Sequence, residues 1–396
     1  MVGRGMLSEE KLKGLVKEFG TPAYVFDIHE LRKRVKAIKG ILGDQIELCF
    51  AMKANPFLIS YLDPFVDKFE VCSPGEYLIC KKEKIPAQKI VMSGVYKRLE
   101  DIKDSFQDNF NGIYTAESID QYEKIIFCAQ NGQKKVRILL RFTSGSQFGM
   151  SQEDIEKIIL KRETDDFAEI VGIHFFSGTQ KKNTELIRYE LNEIDSLCKH
   201  IYEKYHVKIN NIEYGAGLFF DYFSKEDGML GEVKKLKAIL DSYQNRYHFT
   251  IELGRYLCAE CGQYISKVVD IKNNNGKNYC IIDGGIHHLN YYGQMLGIKV
   301  PDVQVVRKDH DINTEEKWTV CGALCTIHDI LLKDFKALKI EKGDIFVFNN
   351  SGAYSVTETG YLFLSRDLPQ ILAAEDKIEL IRGSRPTFDI NSRDIK

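Results

Sequence analysis

Between residues 46 and 255, short apolar runs alternate with segments of helical periodicity, and this alternation limits the fold more than any other feature. The runs are IELCFAMK (46–53), KFEVCS (68–73), KIVMSG (89–94), GIYTA (112–116), VRILLRF (136–142), EIVGIHFF (169–176), NNIEYGAG (210–217) and FTIELGR (249–255). Between them lie stretches such as SQEDIEKIILKR (151–162) and LIRYELNEIDSLCKHIYEKY (186–205), whose apolar residues recur at helical spacing. Strands separated by helices predict a parallel sheet. Eight of them is the number that closes a (β/α)8 TIM-type barrel of roughly 250 residues. An open doubly wound sheet is the competing arrangement, but no GxGxxG follows the first strand.

Beyond about residue 265 the pattern changes. GQYISKVVDIKNNNGKNYCIIDGG (262–285) reads as a hairpin around NNNGKN. KWTVCGAL (317–324) and DIFVFNNSGAYS (344–355) add strands, and RKDHDINTEEK (307–317) reads as a solvated loop. The expected division is a barrel over 26–265, followed by an antiparallel β-barrel or sandwich domain. A length of 396 residues fits two domains. The first twenty residues contain no apolar signal core and read as a helix with Ser8 as N-cap.

Net charge is −2, which gives no field for nucleic acid or an anionic membrane. No window approaches twenty apolar residues, so no membrane span is expected. Ten cysteines sit mostly in apolar runs; without a secretion signal they are expected as reduced thiols in a cytoplasm. CAEC (258–261) is the one CxxC and lacks the second pair of ligands a structural zinc needs, and no HExxH occurs, so no metal is expected.

In a barrel, chemistry collects at the C-terminal ends of the strands. Lys53 ends the first run and Ser73 the second, and Arg141 lies near the end of the fifth. The sixth runs into Ser177, Gly178 and Thr179, the seventh ends in Gly215, Ala216 and Gly217, and the eighth carries Glu252 and Arg255. Each has two readings. A lysine ending a buried run either points into water or, in a low-dielectric pocket, loses its proton and becomes an imine-forming nucleophile. The glycine turns are either ordinary strand–helix connections or places where backbone N–H groups approach a phosphate. Arg255 either pairs with Glu252 or meets an anionic ligand, and Glu252 is either solvated or holds a proton on a ring nitrogen. Lysine, two small-residue turns and a carboxylate on one rim together suggest pyridoxal 5′-phosphate.

The motifs AMKAN (51–55), FEVCSPGE (69–76), SQFGM (146–150), GIHFFSGTQ (172–180), YGAG (214–217), ELGRY (252–256), CGALCTIHD (321–329) and GAY (352–354) occur in the order of a known family. The chain resembles the fold-type III, alanine-racemase-like pyridoxal-phosphate enzymes, and within them the diaminopimelate and ornithine decarboxylase group. The resemblance implies an amino-acid decarboxylase in which Lys53 holds the cofactor, Glu252 faces the pyridine nitrogen, and Thr179, Gly215, Ala216, Gly217 and Tyr354 cradle the phosphate. It places Ser73 with the cofactor residues, Arg255 at the phosphate or a substrate carboxylate, and Cys325 or Lys53 as proton donor. Thr326 and Asp329 fall in the segment that relatives contribute to substrate across a head-to-tail homodimer. Residues 1–25 would join 266–396 in the β domain.

Three departures are visible. Phe176 stands where relatives stack a histidine on the ring, with His174 two residues earlier. CTIHD puts Thr326 in place of the glutamate that grips diaminopimelate, and LGR replaces PGR. These changes resemble the branch from natural-product and siderophore gene clusters, which includes a butirosin-type decarboxylase acting on a glutamyl group held by an acyl carrier protein. Two alternatives remain at the level of sequence. One is an amino-acid racemase or epimerase on the same scaffold, which needs a second acid/base where this chain carries cysteine; the other is a non-catalytic pyridoxal-phosphate-binding protein, which lacks a second domain. His287 and His288 are expected in a loop, and Tyr291 and Tyr292 either meet substrate or pack a dimer interface.

Overall fold

A computed structural model describes residues 7–162, 165–224, 229–308 and 314–394. The chain divides into two units: Met1–Lys33, Asp221–Glu226 and Leu257–Lys396 form one, Arg34–Phe220 and Asp227–Tyr256 the other.

The N-terminal helix Glu9–Phe19 begins where Ser8 Oγ accepts from the Lys11 N–H (3.3 Å), as its sequence predicts. Strand β1 (Ala23–Asp27) follows. The next eight strands are β2 (Ile46–Ala51), β3 (Lys68–Val71), β4 (Ile90–Met92), β5 (Ile113–Ala116), β6 (Val136–Arg141), β7 (Ala168–Phe176), β8 (Asn211–Gly215) and β9 (His248–Leu253). All pair in parallel, and β9 returns to β2, so the sheet closes into the expected barrel. The helices between strands bury an apolar stripe; Ile187, Leu191, Ile194, Leu197 and Ile201 are the buried face of Thr184–Tyr205. Side chains alternate between helix layer and lumen along each strand. The lumen is unusually polar in its upper half: Glu70, His174, Glu213 and Glu252 are all buried there.

The second unit is a mixed sheet rather than the antiparallel one expected. Its later strands are β10 (Gly262–Asn274), β11 (Lys277–Ile282), β12 (Val303–Val306), β13 (Glu315–Cys321), β14 (Ile330–Leu338), β15 (Ile345–Phe348), β16 (Gln370–Ala374) and β17 (Ile378–Arg382). The hairpin around NNNGKN is present as β10–β11. Two pairings are parallel, β11 with β13 and β1 with β16. The second arises because β1 inserts between β10 and β16, partners from the far end of the chain. That insertion also moves the domain limits: Phe26 to Lys33 and Leu257 to Ile265 belong to the β unit, not to the barrel. Leu12 and Leu15 of the N-terminal helix pack on this sheet against Val25, Ile265, Val347 and Leu372.

Candidate active site

Strand β2 stops at Ala51, and Lys53 lies in the single 3-10 turn that follows, Met52–Ala54. Asn55 fixes the turn: its N–H donates to the Met52 carbonyl (3.0 Å) and its side chain accepts from the Phe57 N–H (3.1 Å). The turn packs against Gly254, where a Cβ would come within 3.1 Å of Ala54 Cβ. Arg255, buried, begins the short helix after that glycine.

Lys53 Nζ donates to Glu70 Oε2 at 2.6 Å, lies 3.6 Å from Cys72 Sγ and sits 5.8 Å from the Phe176 ring centroid. Burial favours the neutral amine, but Glu70, with Cys72 and Glu252 behind it, outweighs burial and raises Lys53 well above the ordinary lysine range. Of the two sequence readings, ready loss of the proton is the one that Glu70 opposes: the Lys53 amine is anchored to a buried carboxylate. The same carboxylate and burial push the Cys72 thiol up.

Glu252, on β9, accepts from His174 Nε2 at 3.0 Å, and both are buried. Burial opposes its charge; the His174 ring, and beyond it Lys53, overcome that and hold the carboxyl low. Glu252 thus pairs with His174. Glu213, on the strand between, is pushed well up by burial and by Glu252, which favour its neutral form. Ligand-type atoms of Glu70, His174 and Glu252 all lie within 4.8 Å of one another. Lys53 and Glu252 therefore share one cluster at the barrel's upper rim.

Two turns complete that rim. Gly215 faces Phe176, and a Cβ there would lie 2.4 Å from the ring. Gly217 has φ +57°, and its Cβ would fall 2.1 Å from the Gly178 carbonyl oxygen. Gly178 (φ +148°) opens onto space, with nothing within 4 Å of a Cβ. Thr179 is exposed beside it, and Ala216 is buried. Ser73 caps the helix Pro74–Lys82, accepting from the Glu76 N–H, while Glu76 accepts from the Cys72 N–H (2.6 Å). Arg141 makes a buried ion pair with Glu117 at 2.8 Å.

Cys325, Thr326, Asp329 and Tyr354 belong to the β unit. Tyr354 holds φ +66°, a conformation costly for a non-glycine residue and concentrated at functional sites. Just before it, Gly352 packs so tightly on Cys258 that a Cβ would meet the carbonyl oxygen at 1.9 Å. Cys325 is exposed, as is Ile327 at 86%. Asp329 shapes their loop, its two oxygens accepting from the Ile286 and Leu324 N–H groups, both at 2.8 Å. Thr326 Oγ1 lies 3.3 Å from His328 Nδ1. His287 and His288, expected in a loop, do lie in a turn but are buried, with His288 Nδ1 3.0 Å from Tyr264 OH; burial lowers His287 to about 4. Tyr291 is buried against Tyr222, whereas Tyr292 is exposed. Cys258 and Cys261 are buried, Cys261 Sγ donating to the Cys258 carbonyl.

Sequence reasoning passed over Glu70 and Glu213 and set His174 aside. Glu213 and His174 each sit two residues before a position already singled out, Gly215 and Phe176, and so on the same lumen face, while Glu70 lies three before Ser73. The period-two pattern carried that signal.

A closed parallel barrel with a lysine, ionised and neutral carboxyls and two glycine turns on its C-terminal rim is the architecture of a (β/α)8 enzyme. Residues 28–259 match the family described as pyridoxal-dependent decarboxylase, pyridoxal binding domain. The chain belongs to the pyridoxal-dependent decarboxylases: it is a carboxy-lyase whose cofactor is pyridoxal 5′-phosphate. It is 28% identical to the L-glutamyl-[BtrI acyl-carrier protein] decarboxylase of Niallia circulans, over 97% of this chain and 96% of that one. It is 24% identical to the diaminopimelate decarboxylase of Aquifex aeolicus, over 96% and 92%. The crystal structure of an Aquifex aeolicus protein superposes with a TM-score of 0.84 at 25% identity, covering 97% of this chain and 94% of that one. These relatives favour decarboxylation over racemisation or cofactor binding alone. Among the described residues no helix is long and apolar enough to cross a membrane.

Proposed function

We propose that this enzyme removes the α-carboxyl group of an aminoacyl unit carried on an acyl carrier protein, with Lys53 as the amine that holds the cofactor aldehyde. The observation that carries the site assignment is the Lys53–Glu70–Glu252–His174 cluster, where a lysine and an ionised carboxylate meet at the C-terminal rim of the barrel. The residues fit the group. Gly178 faces open space where a Cβ would stand, and Gly217 lets the second turn approach the Gly178 carbonyl, an arrangement suited to phosphate oxygens. Glu252, kept ionised, suits a protonated ring nitrogen. Phe176, whose ring centroid lies 5.8 Å from Lys53 Nζ, is an aromatic side chain suited to packing against a planar ring. Arg255, Thr179, Ser73, Ala216 and Tyr354 are assigned to the same cofactor site, Arg255 also to a substrate carboxylate.

Pyridoxal phosphate supplies the electron sink for the pair left on Cα when CO₂ departs. Glu252 holds the proton on the ring nitrogen, and His174 fixes its carboxylate. Glu70 receives the Lys53 ammonium whenever that amine is free. Cys325 delivers the proton to Cα from its exposed loop, which, with Thr326, Asp329 and Ile327, is assigned to a head-to-tail homodimer interface. The carrier-bound substrate rests on the likeness to the Niallia circulans enzyme and on Thr326, which cannot grip a distal ammonium as a glutamate does. The cytoplasm is the proposed compartment.

The test is CO₂ release from a panel of free amino acids, diaminopimelate among them, and the matching carrier-protein thioesters. The thioesters are expected to turn over and the free acids to lag by at least roughly tenfold. Equal or better turnover of free diaminopimelate overturns the carrier reading. Lys53→Ala is expected to abolish CO₂ release; retained turnover overturns the site assignment.

A further inference from the structure

Behind the two glycine turns lies a buried carboxylate that the mechanism does not use. Glu190, on the helix Thr184–Tyr205, is 3% exposed. Its Oε1 accepts from Ser177 Oγ, the residue before Gly178. Its Oε2 accepts from Tyr214 OH (2.5 Å), the residue before Gly215, and from Lys181 Nζ (2.7 Å), where the first turn ends. One carboxylate thus holds both turns at their entries and the first at its exit. The Lys181 N–H donates to the Gly217 carbonyl (2.8 Å), and the Gln180 amide bonds Phe220 twice, donating to its carbonyl (3.0 Å) and accepting from its N–H (2.7 Å). Lys181 Cε lies 3.3 Å from where a Gly217 Cβ would be, so the buried lysine backs the second turn.

We infer that Glu190 is the positioning residue of the phosphate cradle: through Ser177, Tyr214 and Lys181 it holds the two turns in register, and so sets how strongly this enzyme prefers a phosphorylated cofactor to its dephosphorylated form. The inference rests on the assignment of those turns to the cofactor phosphate. Backbone N–H groups bind an oxyanion well only if they already point at it, because reorienting them on binding consumes affinity. A fold-supporting role alone would weaken both forms of the cofactor together. A cradle-setting role weakens only the form that carries phosphate.

The experiment titrates full-length apoenzyme with pyridoxal 5′-phosphate and, separately, with pyridoxal, following absorbance of the Lys53 adduct. For Glu190→Gln, affinity for the phosphorylated form is expected to fall roughly tenfold, and that for pyridoxal by less than about twofold. Glu190→Gln leaves Lys181 without its carboxylate and can compromise folding, so Tyr214→Phe is the second variant. It keeps the ion pair and removes one tether, and a loss of about threefold confined to the phosphorylated form is expected. Gly217→Ala reads the underlying assignment. If it abolishes the preference while both other variants keep it, the Glu190 inference is overturned and the phosphate assignment stands. If Gly217→Ala also keeps the preference, the assignment of the turns fails and the inference with it. Equal losses for both cofactor forms in Glu190→Gln and Tyr214→Phe also overturn it.

Discussion

His174 Nε2 and Glu252 Oε1 are 3.0 Å apart, both buried, on β7 and β9 with β8 between them. An imidazole N–H aimed at a lumen carboxylate keeps that carboxylate charged where burial alone would protonate it. The ring nitrogen assigned to Glu252 then meets an anion, not a neutral acid.

His174→Leu removes the donor and is expected to lower kcat for CO₂ release by roughly ten- to a hundredfold, the value of one hydrogen bond to a charged group. Cofactor affinity, carried mainly by the phosphate cradle and Lys53, is expected to change far less. His174→Gln keeps an N–H donor and should recover part of the rate. A wild-type kcat in the leucine variant would remove His174 from the mechanism.

Glu213 titrates with the opposite sign. Its folded value lies above its unfolded one because burial and Glu252 favour the neutral form. Between those two values the folded state binds the extra proton, so stability is complete below about pH 4.3, the unfolded value, and declines as pH rises. Glu213→Gln imitates the neutral form and cancels this slope, at most about 1.4 kcal/mol per pH unit. Melting curves of both proteins from pH 5 to 8 are therefore expected to diverge, with the variant gaining as pH increases. Parallel curves would mean that Glu213 is already ionised in the fold.

Glu70→Gln takes away the main influence that raises Lys53 and leaves burial, which lowers it. The fraction of neutral amine at pH 7 rises, and apoenzyme is expected to form its cofactor adduct faster, by roughly tenfold. Steady-state turnover is expected to fall, because the freed amine loses the acceptor that parks it. Stopped-flow absorbance against pH separates the two effects. An unchanged pH profile for adduct formation would show that Glu70 does not control this lysine.

The barrel was readable in the sequence because buried parallel strands appear as short apolar runs bounded by turns, and all eight fell within two residues of their predicted limits. The rim was readable for a similar reason: Lys53, Gly215 and Glu252 interrupt apolar runs. The Glu252–His174 and Lys53–Glu70 pairings were hidden, because partners on different strands meet only once the strands lie side by side, 78 and 17 residues apart in sequence. The same non-locality hid β1, whose run AYVFD shows a strand but not that Gly262 and Gln370 lie on either side of it. The charge state of Lys53 stayed open between two readings because the sequence shows the burial that lowers a lysine but not the carboxylate that raises it.

Cys325 allows chemistry and stability to be separated cleanly. It is exposed on the loop between β13 and β14, whose shape is held by Asp329 through the Ile286 and Leu324 N–H groups. Cys325→Ala removes neither a core contact nor a cap, so unfolding free energy is expected to stay within about 0.5 kcal/mol of wild type. A loss of product at unchanged stability would support the proposed role of Cys325 as proton donor. CO₂ release is expected to continue while amine product falls roughly tenfold or more, with the balance appearing as carbonyl product and a spent cofactor. Asp329→Asn is the contrasting change: burial raises its carboxyl while the two N–H bonds pull the other way, and the amide keeps only one accepting oxygen. It is expected to loosen the loop and depress both activity and melting temperature. Matched CO₂ and amine yields in Cys325→Ala would place the proton donor elsewhere, with Lys53 the next candidate.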